Sequence, residues 1–226
     1  MKNIKKRKAF VIISIVTLWL SPVLPAPAKS LPLSELIAKA QESYEKTEDL
    51  KARFIQEVTI RSMDKTEREE GTFYFKKPMS MFWDYDKPKT KKIVINRGKT
   101  YLYIPEDHVV YLQDVESIFK ARPMMKFFSG IGKLQEDFQI NFSQPAPLDG
   151  DGNYLLTMLP RDSAFGIQKL SLTIDRGNFQ ILRCSFTDIY GNATCIRFKA
   201  IKVNNKLSDK LFTFKPPPGV EAVNMP

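Results

Sequence analysis

The sequence predicts a mainly β fold with a few helices, built as one large curved antiparallel sheet. Three observations predict it. Short β-prone runs recur along most of the chain, with turn residues between them. One amphipathic helical stretch precedes them, and one mostly apolar helical stretch interrupts them. The chain has 226 residues, enough for one domain with a sizeable core, and no linker-like boundary divides it.

From Leu33 to about Thr47 the chain reads as a helix. Leu36, Ile37, Ala40 and Tyr44 recur at helical spacing, and Ser34 is placed to cap the start. Strand signals follow. Phe54, Gln56, Val58 and Ile60 alternate with mostly polar neighbours. Gly71 to Phe75 is aromatic and β-prone. Met81, Trp83 and Tyr85 alternate with Phe82 and Asp84, and Pro88 breaks the chain. Further strands fit Lys92–Asn96, Thr100–Ile104 and Val109–Asp114, punctuated by Arg97-Gly98 and Pro105-Glu106-Asp107.

The middle differs. Pro123 suits the first turn of a helix. Met124, Met125, Phe127, Phe128 and Ile131 then cover nearly all its sides, so this helix has to be buried on most faces. The β pattern resumes at Phe138–Phe142, Tyr154–Leu159, Gln168–Ile174, Phe179–Thr187 and Thr194–Val203. The tail from Phe212 to Val220 is extended and stiffened by Pro216, Pro217 and Pro218. The order is therefore a helix, about six strands, an apolar helix and about five more strands, with helices set against the concave face of the sheet.

Residues 1–28 read as a signal peptide and residues 29–226 as the folded domain. Lys2, Lys5, Lys6, Arg7 and Lys8 form a basic front. An apolar run from Ala9 to Leu20 follows, and Ala26-Pro27-Ala28 offers a small-x-small cleavage site. The alternative is an uncleaved anchor, but that run is shorter than the ~20 residues a spanning helix needs. The formal net charge is +10, and five of those positives lie before residue 28, which leaves about +5. That is too mild for nucleic acid, which needs a concentrated basic stripe. A modest attraction to anionic lipid headgroups stays open.

An exported chain permits a disulfide between Cys184 and Cys195. The turn they flank decides. A two-residue loop at Ile189-Tyr190 would oppose them directly. A three-residue loop with Gly191 in a bulge would pair Cys184 with Ile196 instead. The second register gives the cleaner alternation, with Leu182, Cys184, Phe186, Ile196 and Phe198 on one face.

Catalytic chemistry is hard to assemble. The single histidine, His108, lies beside a turn, and no nucleophile-elbow sequence is present. One histidine and two cysteines are too few for a structural zinc site. Asp149-Gly150-Asp151-Gly152-Asn153 resembles the start of a calcium loop. Its sixth position is Tyr154 and its twelfth Pro160, so a polar turn is the better reading. No glycine loop for phosphate appears. The expectation is a non-enzyme with no cofactor and no metal.

The positive signal is apolar surplus. Phenylalanine occurs 16 times. Met79, Met81, Met124 and Met125 lie in the two segments expected to face each other, and methionine suits a surface that packs in more than one way. Core packing alone is the plainer reading of the same pattern.

Several segments, in order, resemble the periplasmic outer-membrane lipoprotein carrier (LolA) family. They are Phe54-x-Gln56, Gly71-Thr72-Phe73-Tyr74-Phe75-Lys76-Lys77-Pro78 with Met81-x-Trp83, Gly98-Lys99-Thr100-Tyr101-Leu102-Tyr103, Asp188-x-x-Gly191-Asn192-x-Thr194, and Phe212-Thr213-Phe214-Lys215-Pro216-Pro217-Pro218-Gly219-Val220. The resemblance implies an incomplete antiparallel β-barrel of about eleven strands, covered by a helical lid over an apolar cavity. It implies a monomeric periplasmic chaperone whose partners are lipoprotein acyl chains, an inner-membrane lipoprotein-releasing ABC transporter and an outer-membrane lipoprotein acceptor. Met81 and Trp83 take family inward positions. Phe54, Phe73, Phe75, Met124, Phe127 and Phe128 join them as cavity candidates, although the sequence leaves open which face looks inward. The family's arginine that latches the lid is lysine here, at Lys77. A lysine offers fewer donors on a looser stem, and Lys77→Leu should then change the balance of closed and loaded states. A carrier or sensor of another lipid or glycolipid on the same fold is the alternative function.

Overall fold

The computed structural model describes residues 30–114, 134–163 and 166–225. Within them twelve strands form one sheet. The strands are β1 (Asp49–Ile60), β2 (Lys65–Lys76), β3 (Ser80–Lys87), β4 (Lys91–Ile95), β5 (Lys99–Ile104), β6 (Val109–Asp114), β7 (Phe138–Phe142), β8 (Tyr154–Pro160), β9 (Ile167–Ile174), β10 (Ile181–Asp188), β11 (Ala193–Val203) and β12 (Glu221–Asn224). Their order across the sheet is β12-β6-β5-β4-β3-β2-β1-β11-β10-β9-β8-β7, so the sheet curls but stays open. Every adjacent pair is antiparallel except β12, which runs parallel to β6.

Eleven of these strands answer to the expected runs, and β12 is the addition. It arises because the tail does more than extend. A 3₁₀ turn (Asp209–Phe212) starts it, with the Ser208 hydroxyl accepting from the Lys210 amide. Leu207, Leu211, Phe212 and Phe214 then lie over Tyr74, Phe82, Val94 and Tyr101 on the outer face of β2–β5. Phe214 sits 5.4 Å from the Tyr101 ring and 5.5 Å from the Tyr103 ring. The strap ends beside β6, where the Glu221 amide donates to the His108 carbonyl at 2.9 Å. Pairing there covers what would otherwise be an open sheet edge. Asp49, buried at the start of β1, secures the other end of the strap. Its carboxylate accepts from the Asn205 amide at 2.6 Å and the Leu207 amide at 3.1 Å.

Strand side chains alternate between faces, so the other face collects a separate and larger core. Helix α1 (Leu33–Glu45) lies against it through Leu36, Ala40 and Tyr44. Its first turn opens at Pro32, and Ser34 makes no capping bond, contrary to the expectation. Proline presets the backbone there, and the Leu36 amide donates to the Pro32 carbonyl at 3.0 Å. A second, one-turn helix α2 (Leu134–Asp137) leads into β7. The C-terminus of α1 meets the ends of β2 and β11 and the β9–β10 turn. The Ser43 hydroxyl donates to the Asn178 carbonyl at 3.0 Å, and the Asn204 side chain donates to the Lys46 carbonyl. The β1–β2 and β10–β11 turns lie at the far end of these strands.

The β10–β11 turn takes the three-residue form. Cys184 pairs with Ile196, Ser185 with Cys195, and Gly191 has φ +83°. Both thiols are free and point to opposite faces. Burial, with Cys195 nearby, pushes the Cys184 thiol up to about 12. One detail differs from the expected pattern. Leu182 sits at a bulge between Ile181 and Arg183, so Ile181 takes its place in the core. Asp149 and Asp188 build matching turns, each accepting from the amide two residues on and from both nitrogens of the asparagine four residues on. The calcium-like loop is thus a turn whose carboxylate is already engaged by its own chain.

Candidate functional site

Five of the eight predicted cavity residues meet on the inner face. Phe54, Phe73, Phe75, Met81 and Trp83 are all buried in one cluster, on three adjacent strands β1, β2 and β3. Register puts them there: Phe73 opposes both Ala52 and Trp83, and Phe75 opposes Leu50 and Met81. The rings pack edge to face and tilted. Phe73 lies 4.3 Å from Trp83, and Phe54 lies 5.0 Å from Trp83 and 4.9 Å from Tyr85. Phe198 of β11 completes the floor at 5.7 Å from Phe73. The remaining three, Met124, Phe127 and Phe128, lie outside the described residues, as does the expected apolar helix that carries them. Residues 1–28, read as a signal peptide, also lie outside.

Gly71 makes this arrangement possible. A Cβ at that position would stand 2.8 Å from the Phe54 ring and 2.3 Å from the Asp84 carbonyl oxygen. Only a residue without a side chain lets the ring lie across the strand.

The floor has a polar border toward the far turns. The Tyr85 hydroxyl donates to Gln56 at 3.2 Å, and Gln56 donates to Glu69 at 3.3 Å. Glu69 pairs with the Lys91 ammonium at 2.6 Å, which also sits 4.3 Å over the Tyr85 ring. Beyond that border the inner side of β1 continues with Val58 and Ile60, which are only partly buried.

Helix α1 shares this core through Leu36, Ala40 and Tyr44. Leu36 and Met81 have no exposed surface at all. The Tyr44 hydroxyl accepts from the Ile181 amide at 3.1 Å, and burial raises its pKa, so it stays neutral. Two clefts of about 380 and 360 Å³ lie elsewhere, one on the outer face beside Arg183, Ser185 and Cys195, the other between α1 and the β9–β10 turn. Among the described residues, Phe54, Phe73, Phe75, Met81 and Trp83 are buried in the same core as α1.

Lys77, the predicted latch, reaches α1. Its amide donates to the Glu48 carbonyl at 2.9 Å, and its ammonium donates to the carbonyl of Glu45, the last residue of the helix. The Glu48 carboxylate is 3.8 Å away. A cation suits this place, because helix C-termini leave carbonyls unpaired and carry partial negative charge. Lys76 turns to the other face, where its ammonium holds the Leu207 carbonyl at 2.7 Å and Asp209 at 2.6 Å. The two adjacent lysines thus secure two different covers, α1 inside and the strap outside.

The sequence profile of the family described as outer membrane lipoprotein carrier protein LolA matches residues 45–215. The chain belongs to this family.

Curated LolA-family relatives agree. An outer-membrane lipoprotein carrier protein from Hahella chejuensis is 28% identical over 176 residues, covering 78% of this chain and 82% of that one. One from Pseudomonas aeruginosa is 27% identical over 178 residues, covering 79% and 82%. Among solved structures, a conserved protein from Thermus thermophilus superposes with a TM-score of 0.55 at 13% identity, over 85% of this chain and 98% of that one. At that identity the likeness speaks for the fold. Three of the LolA-like segments singled out in the sequence fall on the Gly71 gap, the Lys76-Lys77 junction, the floor residues Met81 and Trp83, and the strap from Phe212 to Val220.

Sequence reasoning missed three contributors. Phe198 was placed on the correct face but not in the floor. Leu36 and Tyr44 were read as helix packing without a target. Their signal was the helical spacing of the α1 apolar residues, which named the buried side but not the surface beneath it. Among the described residues, no helix is long and apolar enough to cross a membrane, and no group of three or more His, Cys, Asp or Glu side chains could hold a metal ion.

Proposed function

We propose that this chain is a periplasmic chaperone that carries lipoproteins from an inner-membrane ABC transporter to an outer-membrane acceptor, sheltering their acyl chains on the inner face of its sheet. Phe54, Phe73, Phe75, Met81 and Trp83 would receive the chains, and Met124, Phe127 and Phe128 would add to the cover. The observation that carries this reading is the floor of interlocked aromatic rings on the inner face, which shares one core with helix α1, in a chain of the LolA family. Exposed acyl chains cost ~0.8 kcal/mol per methylene, so such cargo cannot cross water unaided. In this reading α1, which takes no part in the strand pairing, is a movable cover of that floor. No bond is made or broken in this scheme, and no cofactor takes part.

Lys77 is the latch of the closed state in this reading. It ties the end of α1 to the β2–β3 turn, so a partner that breaks one contact frees the helix at its base. The experiment is recovery of the protein from the envelope followed by mass spectrometry of what accompanies it. Triacylated lipoproteins in near-stoichiometric amount support the reading. Free phospholipid or glycolipid alone would replace it by a carrier of another lipid.

A further inference from the structure

Three of the most exposed large apolar side chains stand together at the far end of the sheet. Met63 in the β1–β2 turn is 64% exposed, and Ile189 and Tyr190 in the β10–β11 turn are 55% and 77% exposed. The two turns are neighbours. The Arg61 amide donates to the Asn192 side chain at 3.1 Å, and a Cβ on Gly191 would fall 2.8 Å from the Arg61 side chain. They are also stiff. Asp188 accepts from the Tyr190 and Asn192 amides at 2.8 and 2.9 Å, and Asp64 holds a left-handed conformation at φ 46°. Leaving such side chains in water is costly, and these turns hold them there.

We propose that the paired β1–β2 and β10–β11 turns are a bilayer-contact tip that dips into the membrane interface while cargo is taken up or released. Three features favour lipid over a protein partner. The exposed side chains stand on two hairpin turns, so a protein would have to supply a matching socket, whereas a bilayer deforms around them. The tip's composition is interfacial: a tyrosine and two aliphatic side chains, with Arg61 and Lys65 able to reach headgroups. It also adjoins the inner face on the β10–β11 side. From the floor residue Phe198, the partly buried Ile196 and Phe186 lead past the polar border at Gln56 toward the exposed turns, where Val58 and Ile60 lie beyond that border. An acyl chain leaving the bilayer at the tip would meet apolar contact along that path. Arg61 and Lys65 are offset by Asp64 and Asp188, so apolar contact rather than headgroup charge dominates binding.

The inference rests on the carrier reading for its purpose, but its test does not. Cargo-free protein, in the form an expressing Gram-negative host exports, is mixed with phosphatidylcholine vesicles and sedimented. The triple change Met63→Asp, Ile189→Asp and Tyr190→Asp is expected to weaken vesicle association by roughly tenfold or more, with little dependence on salt. Tyr190→Trp is expected to be quenched by lipids brominated on their acyl chains, read against the parent spectrum. Equal sedimentation of parent and triple variant, or an unquenched Trp at 190, overturns the proposal. So does tip-dependent capture by a membrane protein in detergent with no vesicle binding. Lipoprotein binding in detergent, measured on the same variants, reports separately on the carrier reading and should be unchanged.

Discussion

Replacing Lys77 by leucine removes one cation from the base of α1 and leaves the apolar stem roughly in place. The lost contact is a charge-assisted hydrogen bond to the Glu45 carbonyl, made by a side chain only 21% exposed. Such bonds are worth about 1.5–3 kcal/mol, and partial solvation argues for the lower end. The Glu48 carboxylate, 75% exposed and 3.8 Å away, adds little. A loss of about 1.4 kcal/mol shifts the balance between seated and released α1 tenfold. Seated α1 shares the inner-face core with the floor residues, and with α1 as their cover the apparent affinity for an acyl ligand should rise by up to about tenfold. Two readouts check this: hydrogen exchange across residues 33–46, expected to quicken, and titration with a fluorescent fatty-acyl probe, expected to tighten. Lys77→Arg should restore both. If Lys77→Leu folds normally and neither quantity moves, α1 is not latched through this residue.

The other predictions concern what holds the site in shape. Gly71→Ala should cost about 1–3 kcal/mol through overpacking against Phe54 and β3, seen as a lower urea midpoint, while Gly98→Ala, whose nearest neighbour would be 3.8 Å away, should be nearly silent. Asp49→Ala should cost about 2–3 kcal/mol by orphaning the Asn205 and Leu207 amides, and limited proteolysis should then cut within residues 204–214. Burial alone would raise the Asp149 and Asp188 pKa values, but hydrogen bonds from their own turns outweigh it and hold both below the usual carboxylate range. Their contribution is therefore complete above the unfolded carboxylate pKa and lost as pH falls through the lower folded values. The acid-side fall in melting temperature should be shallower in the double variant Asp149→Asn, Asp188→Asn.

Most of the sheet was legible because period-two alternation is a direct image of a half-buried strand. Met81, Trp83 and Tyr85 against Phe82 and Asp84 mark two faces, and the alternation around Cys184 and Cys195 selects the turn that the strand register shows. Harder to read were features that depend on contacts distant in sequence. Charged residues open β2 at Lys65, on a hairpin exposed on both sides, so no alternation marks them. Strand β12 is four residues long and follows three prolines, and only its parallel partner β6 makes it a strand. Nothing near Phe82 and Tyr74 in the sequence marks what buries them; the strap that covers them comes from more than a hundred residues later. At the site, the family resemblance rather than residue type named Met81 and Trp83, and the face they share with Phe54, Phe73 and Phe75 required the strand register.

The central claim is that acyl chains lie on the inner face. Trp83 and Phe82 are adjacent on β3 and point to opposite faces, one into the floor and the other beneath the strap. A photoreactive amino acid placed at each position in turn, with a tagged lipoprotein as cargo, separates the faces within one residue. Crosslinking at 83 and none at 82 is the predicted result. Capture at 82, or at neither position while the lipoprotein is demonstrably bound, would contradict it.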